Sequence, residues 1–427
     1  MGNFEDIHVD VLGECEFDSP FLKKGRLSFV DNSNSILMQT HREEVTEENL
    51  QFLELAGPRK KNYFDKSIAC GIVTCGGLCP GINDVIRGIV VELYEQYGVR
   101  KVLGFRYGFQ GLRSNVDFLP IDLNPKNVDD IHTRGGTILS SSRGFPPLEE
   151  VVESLIKYNI KILFTIGGDG TIRGASDIAQ YIKDKGLDIA VIAIPKTIDN
   201  DIAYIDKSFG FETAVQETAH IIESAHEEAK GAFNGIGLIK IMGREAGFIA
   251  GYSTLANINV NFCLIPEKKI NMLNFLEILK KRLNKKQHAV ILVSEGFGQD
   301  LLSQENQELD ASGNIKLKDI GHYLKDEIEK YFDSIKVETN IKYFNPSYSI
   351  RSVPANAMDS AYCLILAQSA VHAGMAGKTN MLVSLVNDHY VYLPINMIRN
   401  KKKRVNPLGR LWYTVMDSTL QPKEIFK

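Results

Sequence analysis

The sequence predicts an α/β protein whose mostly parallel sheets are covered by helices on both faces. Near-continuous apolar runs, such as IKILFTI at 160–166, are typical of strands that are buried on both sides. These runs alternate with segments in which apolar residues recur at helical spacing. Most of the runs end in turns rich in glycine or charged residues, the place where such folds bind their ligands.

The alternation starts near residue 67, after an N-terminal extension at 1–62 that lacks it. The predicted strands cover 67–75, 99–105, 160–166, 187–195, 235–242 and 288–296. The predicted helices cover 82–98, 149–158, 172–185, 211–230, 272–284 and 355–376. Residues 379–395 predict a strand pair near a sheet edge, and the polar segment 299–317 predicts a surface insertion.

Composition excludes several classes of protein. The 427 residues are 44% hydrophobic and 24% charged, and their net charge of -4 gives no reason to expect a nucleic-acid partner. No run approaches the roughly 18 apolar residues of a membrane span, and the acidic N-terminus is not a secretory signal. Six cysteines are too few for a disulfide scaffold, so we expect a cytoplasmic protein.

The first strand ends in GGLCPG at 76–81. Its glycines, Gly76 and Gly77 among them, allow close approach of a ligand, and the next helix offers N–H groups to an anion. The pattern is neither a dinucleotide fingerprint nor a Walker A loop. A tight turn without a ligand is the alternative.

A second loop, at 134–144, combines glycines, serines and the two arginines Arg134 and Arg143. Guanidinium groups match phosphate oxygens, so this loop indicates a phosphate site. An ordinary surface loop with a serine that caps a helix is the alternative.

The strand at 160–166 ends in Gly167-Gly168-Asp169-Gly170-Thr171. A lone acid among glycines at a strand end would be desolvated unless it met a cation or N–H groups. A Mg²⁺ ion that bridges two phosphates would meet this need. An aspartate that only caps the following helix is the alternative.

The strand at 187–195 is followed by Lys196, Asp199 and Asp201 in the segment PKTIDND. Two carboxylates two residues apart in an extended loop point to the same side. One of them can act as a base while the other orients it or holds a metal. A solvated surface loop is the alternative.

Later strand ends add cations, a tyrosine and a carboxylate, a mixture that suits a phosphorylated sugar. Taken singly, each group is more often a surface pair or a helix cap. No histidine lies in these loops, which argues against a histidine base or a histidine metal site. The groups are Met242-Gly243-Arg244, Ser294-Glu295-Gly296, Lys342, Tyr348 and Arg351.

The motifs GGLCPGIN, RGGT, GGDGT, PKTIDND, MGRE, SEG and Tyr-x-x-Arg occur in the order seen in phosphofructokinases, and the resemblance covers about residues 68–418. GGDG alone is shared with diacylglycerol and NAD kinases. The resemblance implies transfer of a phosphoryl group to the 1-hydroxyl of fructose 6-phosphate, with Mg²⁺ as cofactor. It also implies two Rossmann-like doubly wound domains with the active site in the cleft between them.

The resemblance implies a role for each matched residue. The base that accepts the hydroxyl proton is Asp199, supported by Thr197 and Asp201, while Asp169 holds Mg²⁺ and Arg143 bridges the charge that develops during transfer. The phosphoryl donor is bound by Gly76, Gly77, Arg143, Gly144, Gly168, Asp169, Gly170 and Thr171. The sugar phosphate is bound by Thr197, Ile198, Asp199, Met242, Gly243, Arg244, Glu295, Lys342, Tyr348 and Arg351.

Two positions bear on the choice of donor. Pyrophosphate enzymes of the family resemble one another in an aspartate where this chain has Gly170, and in a lysine where it has Lys196. Glycine leaves room for the α-phosphate of ATP, so we expect ATP, as in the longer ATP-dependent branch. Gly235 stands where short bacterial enzymes carry an arginine that contacts the site of a neighbouring subunit, so we expect phosphate binding across the interface to be rearranged. The allosteric sites of the short enzymes are not carried over to this chain.

The resemblance also implies a division into domains and a homo-oligomer, a dimer or tetramer. We expect a donor domain at 63–212 with about 352–400, and a sugar-phosphate domain at 213–351 with about 401–427. The basic run 401–404 is interpreted as a solvated loop or as a nucleotide or effector site. The rival functions are a pyrophosphate-dependent enzyme, a lipid or NAD kinase, and a non-catalytic regulatory paralogue.

Overall fold

The computed structural model describes residues 5–25, 28–40, 50–114, 116–302, 308 and 315–427. Its strands in chain order are β1 Glu5–Ile7, β2 Asp10–Val11, β3 Phe17–Asp18, β4 Ser35–Leu37, β5 Gln51–Leu55, β6 Lys61–Asn62, β7 Ala69–Thr74, β8 Lys101–Phe105, β9 Ile121–Leu123, β10 Ile160–Gly167, β11 Ala190–Pro195, β12 Gly235–Ile241, β13 Phe262–Leu264, β14 His288–Ser294, β15 Asn340–Phe344, β16 Lys378–Thr379, β17 Met381–Val386 and β18 His389–Pro394. Its α-helices are α1 Pro20–Lys23, α2 Ile82–Val91, α3 Leu148–Lys157, α4 Asp169–Asp184, α5 Phe211–Lys230, α6 Phe248–Ala256, α7 Met272–Lys286, α8 Ile320–Ser334, α9 Ala357–Met375, α10 Ile395–Ile398 and α11 Arg410–Thr419.

The chain forms two units. Unit 1 comprises residues 1–197, 202–210 and 352–402, and unit 2 comprises 198–201, 211–351 and 403–427. Among the described residues of unit 1, ten strands form one sheet in the order β1-β5-β18-β17-β11-β10-β7-β8-β9, and β4 pairs with β5. The central run from β17 to β8 is parallel, and the pairs β17–β18, β18–β5 and β8–β9 are antiparallel.

The strand order of unit 1 creates a place for a ligand. The chain passes from β7 to β8 on one side of β7 and then returns to β10 on its other side. Such a reversal opens a crevice at the carboxyl ends of the two diverging strands, here β7 and β10. These are the strands that end in the glycine-rich segments at 76–81 and 167–171.

The core of unit 1 explains why the central strands read as apolar runs. Every residue of β7 and β11 is buried, and so are seven of the eight residues of β10. Helix α2 lies so close to α9 that a Cβ on Gly88 would come within 2.6 Å of the Ala367 Cβ. Burial on both faces of the sheet therefore confirms the predicted fold class for this unit.

The strand pair predicted at 379–395 is present, and two further strands, β5 and β1, separate it from the end of the sheet. Strands β17 and β18 form the predicted antiparallel pair, but β18 also pairs with β5 from the N-terminal segment. Strand β5 in turn pairs with β1 and β4. Strands β1, β4 and β5 are short, and they lie far in sequence from β18. No local sequence pattern therefore predicts them.

A buried ion cluster joins β5 to the strand after α9. The Glu54 carboxylate lies 2.5 Å from Arg59 Nη2 and 2.6 Å from Lys378 Nζ, and the three side chains are at most 7% exposed. Burial lowers the pKa of Lys378, and the charge of Glu54 opposes that shift. The carboxylate therefore neutralises part of a buried positive charge.

Replacement of Glu54 by glutamine should lower the free energy of unfolding by about 3–5 kcal/mol, because it leaves two buried cations without their counter-ion. Chemical denaturation of the wild type and of Glu54→Gln measures the difference. The exposed Glu329, which pairs with Lys325 at 3.7 Å on α8, supplies the control Glu329→Gln, with an expected loss below about 1 kcal/mol. Equal losses in the two variants would contradict this assignment.

Unit 2 has a parallel sheet in the order β13-β14-β12-β15. Strands β14 and β15 lie on opposite sides of β12, so the carboxyl end of β12 is a second point where the strand order reverses. Its core includes Leu238, Ile291, Phe275 and Phe332, all fully buried. Helix α8 begins at Asp319, whose side chain accepts hydrogen bonds from the N–H groups of Gly321 and His322.

Most predicted helices agree with the structure to within a few residues. Helix α4 begins at Asp169, three residues before the predicted start at Ile172. Helix α2 passes into a π-helical turn at Glu92–Tyr97, which ends at Gly98 in the left-handed conformation. The predicted insertion at 299–317 lies largely outside the described residues. Among the described residues, no helix combines the length and apolar character that a membrane span requires.

Candidate active site

Hydrogen bonds bring the first two glycine-rich loops of unit 1 together. The Gly76 N–H donates to the Ser142 carbonyl at 3.0 Å, and the Ser141 hydroxyl donates to the Gly76 carbonyl at 2.6 Å. Gly76 has a φ of 84°, a conformation that favours glycine. The loops at 76–81 and 134–144 therefore form one continuous rim at the carboxyl end of β7.

Asn83, in the first turn of α2, holds the second loop in place. Its Oδ1 accepts from the Ile138 N–H at 3.0 Å, and its Nδ2 donates to the Arg134 carbonyl at 3.1 Å. Gly135 lies against the chain at Ser352, where a Cβ would sit 1.8 Å from the carbonyl oxygen. Asn83 is not among the predicted site residues, although it ends the motif GGLCPGIN and is only 2% exposed.

Asp169 is the first residue of α4, and Gly168 occupies the N-cap position. The N–H groups of Thr171 and Ile172 both donate to the Gly168 carbonyl. Asp169 is therefore not the helix-capping residue that its sequence position allowed as an alternative. Its carboxylate forms an ion pair with the ammonium of Lys402, and about 30% of each side chain is exposed.

Lys196 ties the first loop to the end of β11. It is 5% exposed, and its ammonium donates to the Gly77 carbonyl at 2.7 Å. Its N–H donates to the Gly167 carbonyl at 3.0 Å. The next carbonyl, of Thr197, accepts from the Ser208 hydroxyl at 2.6 Å. Lys196 thus lies at the carboxyl edge of the sheet, among the loops predicted to bind the donor.

The remaining donor-side residues lie in more open positions. Arg143 and Gly144 are exposed, and Gly144 has a φ of 91°. A Cβ on Gly170 would meet none of the described atoms within 4 Å. There is room beside the first turn of α4 for a bound group.

The metal ligands that the protein offers at this edge of the sheet suit a Mg²⁺ ion that is also coordinated by phosphates. Asp169 supplies one partly exposed carboxylate, next to backbone groups of a glycine-rich loop. Among the described residues, no group of three His, Cys, Asp or Glu side chains could form an all-protein metal cage. Mg²⁺ typically binds through one or two carboxylates together with substrate phosphates, so the residues fit this ion.

In unit 2, the loops after β12 and β14 pack on each other. The Gly296 N–H donates to the Gly243 carbonyl at 3.2 Å, and a Cβ on Gly296 would come within 1.7 Å of the Arg244 carbonyl oxygen. The Arg244 N–H donates to Oδ2 of Asp199 at 3.4 Å. Asp199 is half-buried, and its neighbours Asn200 and Asp201 are buried. This contact places Asp199 next to the Met242-Gly243-Arg244 segment.

Glu295 is surrounded by cations. Burial raises the pKa of its carboxyl, and the charges of Lys240, Arg244 and Arg351 oppose this shift. Two of these cations, Arg244 and Arg351, are predicted site residues, and Lys240 is not. Lys240 also pairs with Asp319 at 2.8 Å. The sequence signal that could have identified Lys240 as a site residue is its position as a lysine inside an apolar strand.

The two remaining sugar-site residues, Lys342 and Tyr348, lie in different places. The register of β15 pairs Lys342 with Gly237, five residues before Met242, so Lys342 lies below the loop end of the sheet. Tyr348 is 75% exposed, and the Arg351 guanidinium lies 4.8 Å from the centre of its ring. The structure therefore brings Asp199, Arg244, Glu295 and Arg351 together in unit 2, and Lys342 does not join them.

Glu295→Gln should stabilise the protein at neutral pH. A carboxyl whose pKa is raised by folding contributes stability below its unfolded pKa, about 4.3, and this contribution is lost as the pH rises through the folded pKa. The variant should therefore resemble the wild type near pH 4 and be more stable than it near pH 7. Denaturant unfolding at both pH values measures this. A variant that is less stable than the wild type near pH 7 would contradict it.

Comparisons with known proteins identify the family of this chain. The sequence model described as "Phosphofructokinase" matches residues 69–374. An ATP-dependent 6-phosphofructokinase of Borreliella burgdorferi is 47% identical, covering 98% of this chain and 97% of its own. Another, from Amycolatopsis methanolica, is 42% identical over 99% of this chain and 96% of its own.

A crystal structure titled as a pyrophosphate-dependent phosphofructokinase from Marinobacter aquaeolei supports the fold alone. It has a TM-score of 0.66 at 20% identity and covers 83% of this chain and 91% of its own. The matched family sequence and the two curated relatives confirm the resemblance seen in the motifs, and this chain belongs to the phosphofructokinase family.

Proposed function

We propose that the chain is an ATP-dependent 6-phosphofructokinase, which transfers the γ-phosphoryl group of ATP to the 1-hydroxyl of fructose 6-phosphate. The observation that carries the proposal is the position of Asp199, half-buried beside Arg244 at a strand-end loop of unit 2. Curated relatives named as ATP-dependent enzymes of this kind support it. The products are fructose 1,6-bisphosphate and ADP.

Asp199 is the general base of the proposed reaction. Its carboxylate accepts the proton of the 1-hydroxyl as that oxygen attacks phosphorus. The Arg244 N–H at 3.4 Å helps to fix the orientation of the carboxylate, and the carbonyl of the buried Asp201 accepts from the Lys403 N–H at 2.8 Å. A base placed in this way contributes about 10²–10⁴-fold to the rate.

The donor-side residues of unit 1 bind the phosphates of ATP and neutralise their negative charge. Bound Mg²⁺ would be held by Asp169 and would neutralise charge on the bridging phosphates. Arg143 binds the transferred group, and its exposure leaves it able to reach the ligand. Gly76, Gly77 and Gly168 let the backbone approach the phosphates closely. Transfer of this kind needs positioning and charge stabilisation more than covalent chemistry.

The unit 2 cluster binds the sugar phosphate. The guanidinium groups of Arg244 and Arg351 suit a phosphate, and the Glu295 carboxylate suits sugar hydroxyls. Burial raises the pKa of the Glu295 carboxyl, and the charges of Lys240, Arg244 and Arg351 oppose this shift. Lys240 joins the cluster in this role.

Pyrophosphate is the second candidate donor. Lys196, which pyrophosphate enzymes share, lies at the donor edge with its ammonium on the Gly77 carbonyl. The open space beside Gly170 favours ATP, because a nucleotide needs that room. Both Asp169 and Asp199 are present, which argues against a non-catalytic paralogue.

We further propose a homo-oligomer in a reducing compartment such as the cytoplasm. The six cysteines all lie in described residues and form no disulfide. Light scattering coupled to size exclusion measures the assembly; a dimer or tetramer is expected.

Phosphorus NMR tests the proposed reaction directly. A mixture of the protein, ATP, MgCl₂ and fructose 6-phosphate should yield the two resonances of fructose 1,6-bisphosphate and those of ADP. A parallel mixture with glucose 6-phosphate should show no transfer. Absence of the bisphosphate with every batch of folded protein would overturn the proposal.

A further inference from the structure

We infer that Lys402, in the basic run after α10, is a donor-binding residue whose ammonium contacts the phosphates beside Asp169. This inference rests on the proposed function and adds a residue to its donor site. Lys402 lies outside residues 69–374, which match the family sequence. It is also outside every motif that identified the family, so neither assigns it a role.

The first argument is the position of the ammonium. Lys402 forms an ion pair with Asp169, the acid that the sequence assigns to Mg²⁺, at the start of α4. The N-terminal end of a helix carries a partial positive charge, and Asp169 alone would repel phosphate oxygens there. The ammonium of Lys402 offsets that negative charge and adds N–H donors at the same point.

The second argument is that the segment that ends at Lys402 is anchored by three contacts. Arg399 pairs with Asp177 of α4 at 3.3 Å. The ammonium of Lys401 lies 4.9 Å from the centre of the Tyr204 ring and also contacts its hydroxyl. Lys402 itself forms an antiparallel bridge with Ile202. These contacts hold the segment in place beside α4. Lys402 is therefore positioned by the fold at the carboxyl edge of the sheet.

The third argument is charge balance. A triphosphate carries more negative charge than one divalent cation neutralises, so a transfer site needs further cations. Arg143 and Lys196 are the cations predicted on the donor side, and the Lys196 ammonium already donates to the Gly77 carbonyl. Lys402 supplies an additional cation at the carboxyl edge of the same unit.

A purely structural role accounts poorly for this lysine. An ion pair with about 30% exposure of each side chain contributes little to stability because water screens it. Substitution of Lys402 should therefore leave the thermal midpoint nearly unchanged. Its effect should fall instead on the affinity for the phosphorylated donor.

The test compares Lys402→Met with Lys185→Met, a matched change at an exposed lysine just after the C-terminal end of α4. Calorimetry with Mg–ADP in the absence of sugar gives a readout that does not depend on turnover. We expect the dissociation constant for Mg–ADP and the KM for ATP to rise about ten-fold or more in Lys402→Met, the factor for one charge-assisted hydrogen bond. The KM for fructose 6-phosphate should stay within about two-fold, and Lys402→Arg should recover much of the lost affinity.

Each outcome decides the inference. Equal Mg–ADP affinities of Lys402→Met and Lys185→Met would overturn it. A lower thermal midpoint with equal losses toward donor and sugar would also overturn it, because that pattern indicates a structural role. If the wild type binds Mg–ADP but never phosphorylates fructose 6-phosphate, the proposed function fails while the calorimetric comparison still decides the role of Lys402.

Discussion

Asp199→Ser is expected to lower kcat by about 10²–10⁴-fold, because it removes the group that accepts the proton of the attacking hydroxyl. Binding of fructose 6-phosphate should change only a few-fold, since Arg244, Glu295 and Arg351 remain in place. The charges of Arg244 and Arg351 act on Glu295 directly. A coupled assay for the bisphosphate gives kcat, and calorimetry gives the affinity for the sugar phosphate.

The control for this prediction is Asp417→Ser, which removes an exposed carboxylate from α11 in the same unit. It should leave kcat unchanged. Near-normal turnover of Asp199→Ser would show that another group removes the proton. A loss of sugar binding as large as the loss of turnover would show that Asp199 is a binding residue instead.

Gly170→Asp is expected to reduce kcat/KM for ATP by at least about 10²-fold, because like charges held close together cost several kcal/mol. The protein should still fold, since a Cβ at this position meets none of the described atoms within 4 Å. The added carboxylate would lie one residue from Asp169, at the start of α4. It would enter the open space beside the first turn of α4, where we expect the phosphates of the nucleotide.

Gly170→Ala separates the effect of charge from the effect of bulk. Alanine adds only the Cβ and favours the helix over glycine by about 1 kcal/mol. We expect a slightly higher thermal midpoint and nearly normal use of ATP. If Gly170→Ala and Gly170→Asp lose ATP activity equally, the size of the side chain at position 170, and not its charge, determines whether ATP is used. Unchanged ATP kinetics in both variants would refute the account of donor choice.

The central strands could be predicted because burial on both faces gives them unbroken apolar runs. β7, β10, β11, β12 and β14 all lie inside their predicted ranges, apart from one added residue at the end of β10. Strands β1, β4 and β5 were missed. They have at most five residues, and β5 is stabilised by β18, which is more than 300 residues away. Sequence periodicity cannot reveal such long-range pairing.

In the candidate site too, features marked by a local motif could be predicted, and features that depend on tertiary contacts could not. The loops at the ends of β7, β10 and β12 were identified because glycine next to charge is a local signal. The start of α4 was placed too late because Gly168 and Gly170 suggest a loop, although tertiary contacts let the helix begin at Asp169. The ion pair between Lys402 and Asp169 spans more than 200 residues, so the run at 401–404 resembled a solvated loop.

The most direct test of the central claim is a comparison of donors for the wild-type enzyme. The rate of fructose 1,6-bisphosphate formation would be measured with MgCl₂ and either ATP or pyrophosphate, each over a range of concentrations. We predict a kcat/KM for ATP at least about 10²-fold higher than that for pyrophosphate, because an absent carboxylate at position 170 removes several kcal/mol of repulsion. Activity with pyrophosphate alone would contradict the account. It would show that the residue at position 196, and not the one at position 170, correlates with the choice of phosphoryl donor.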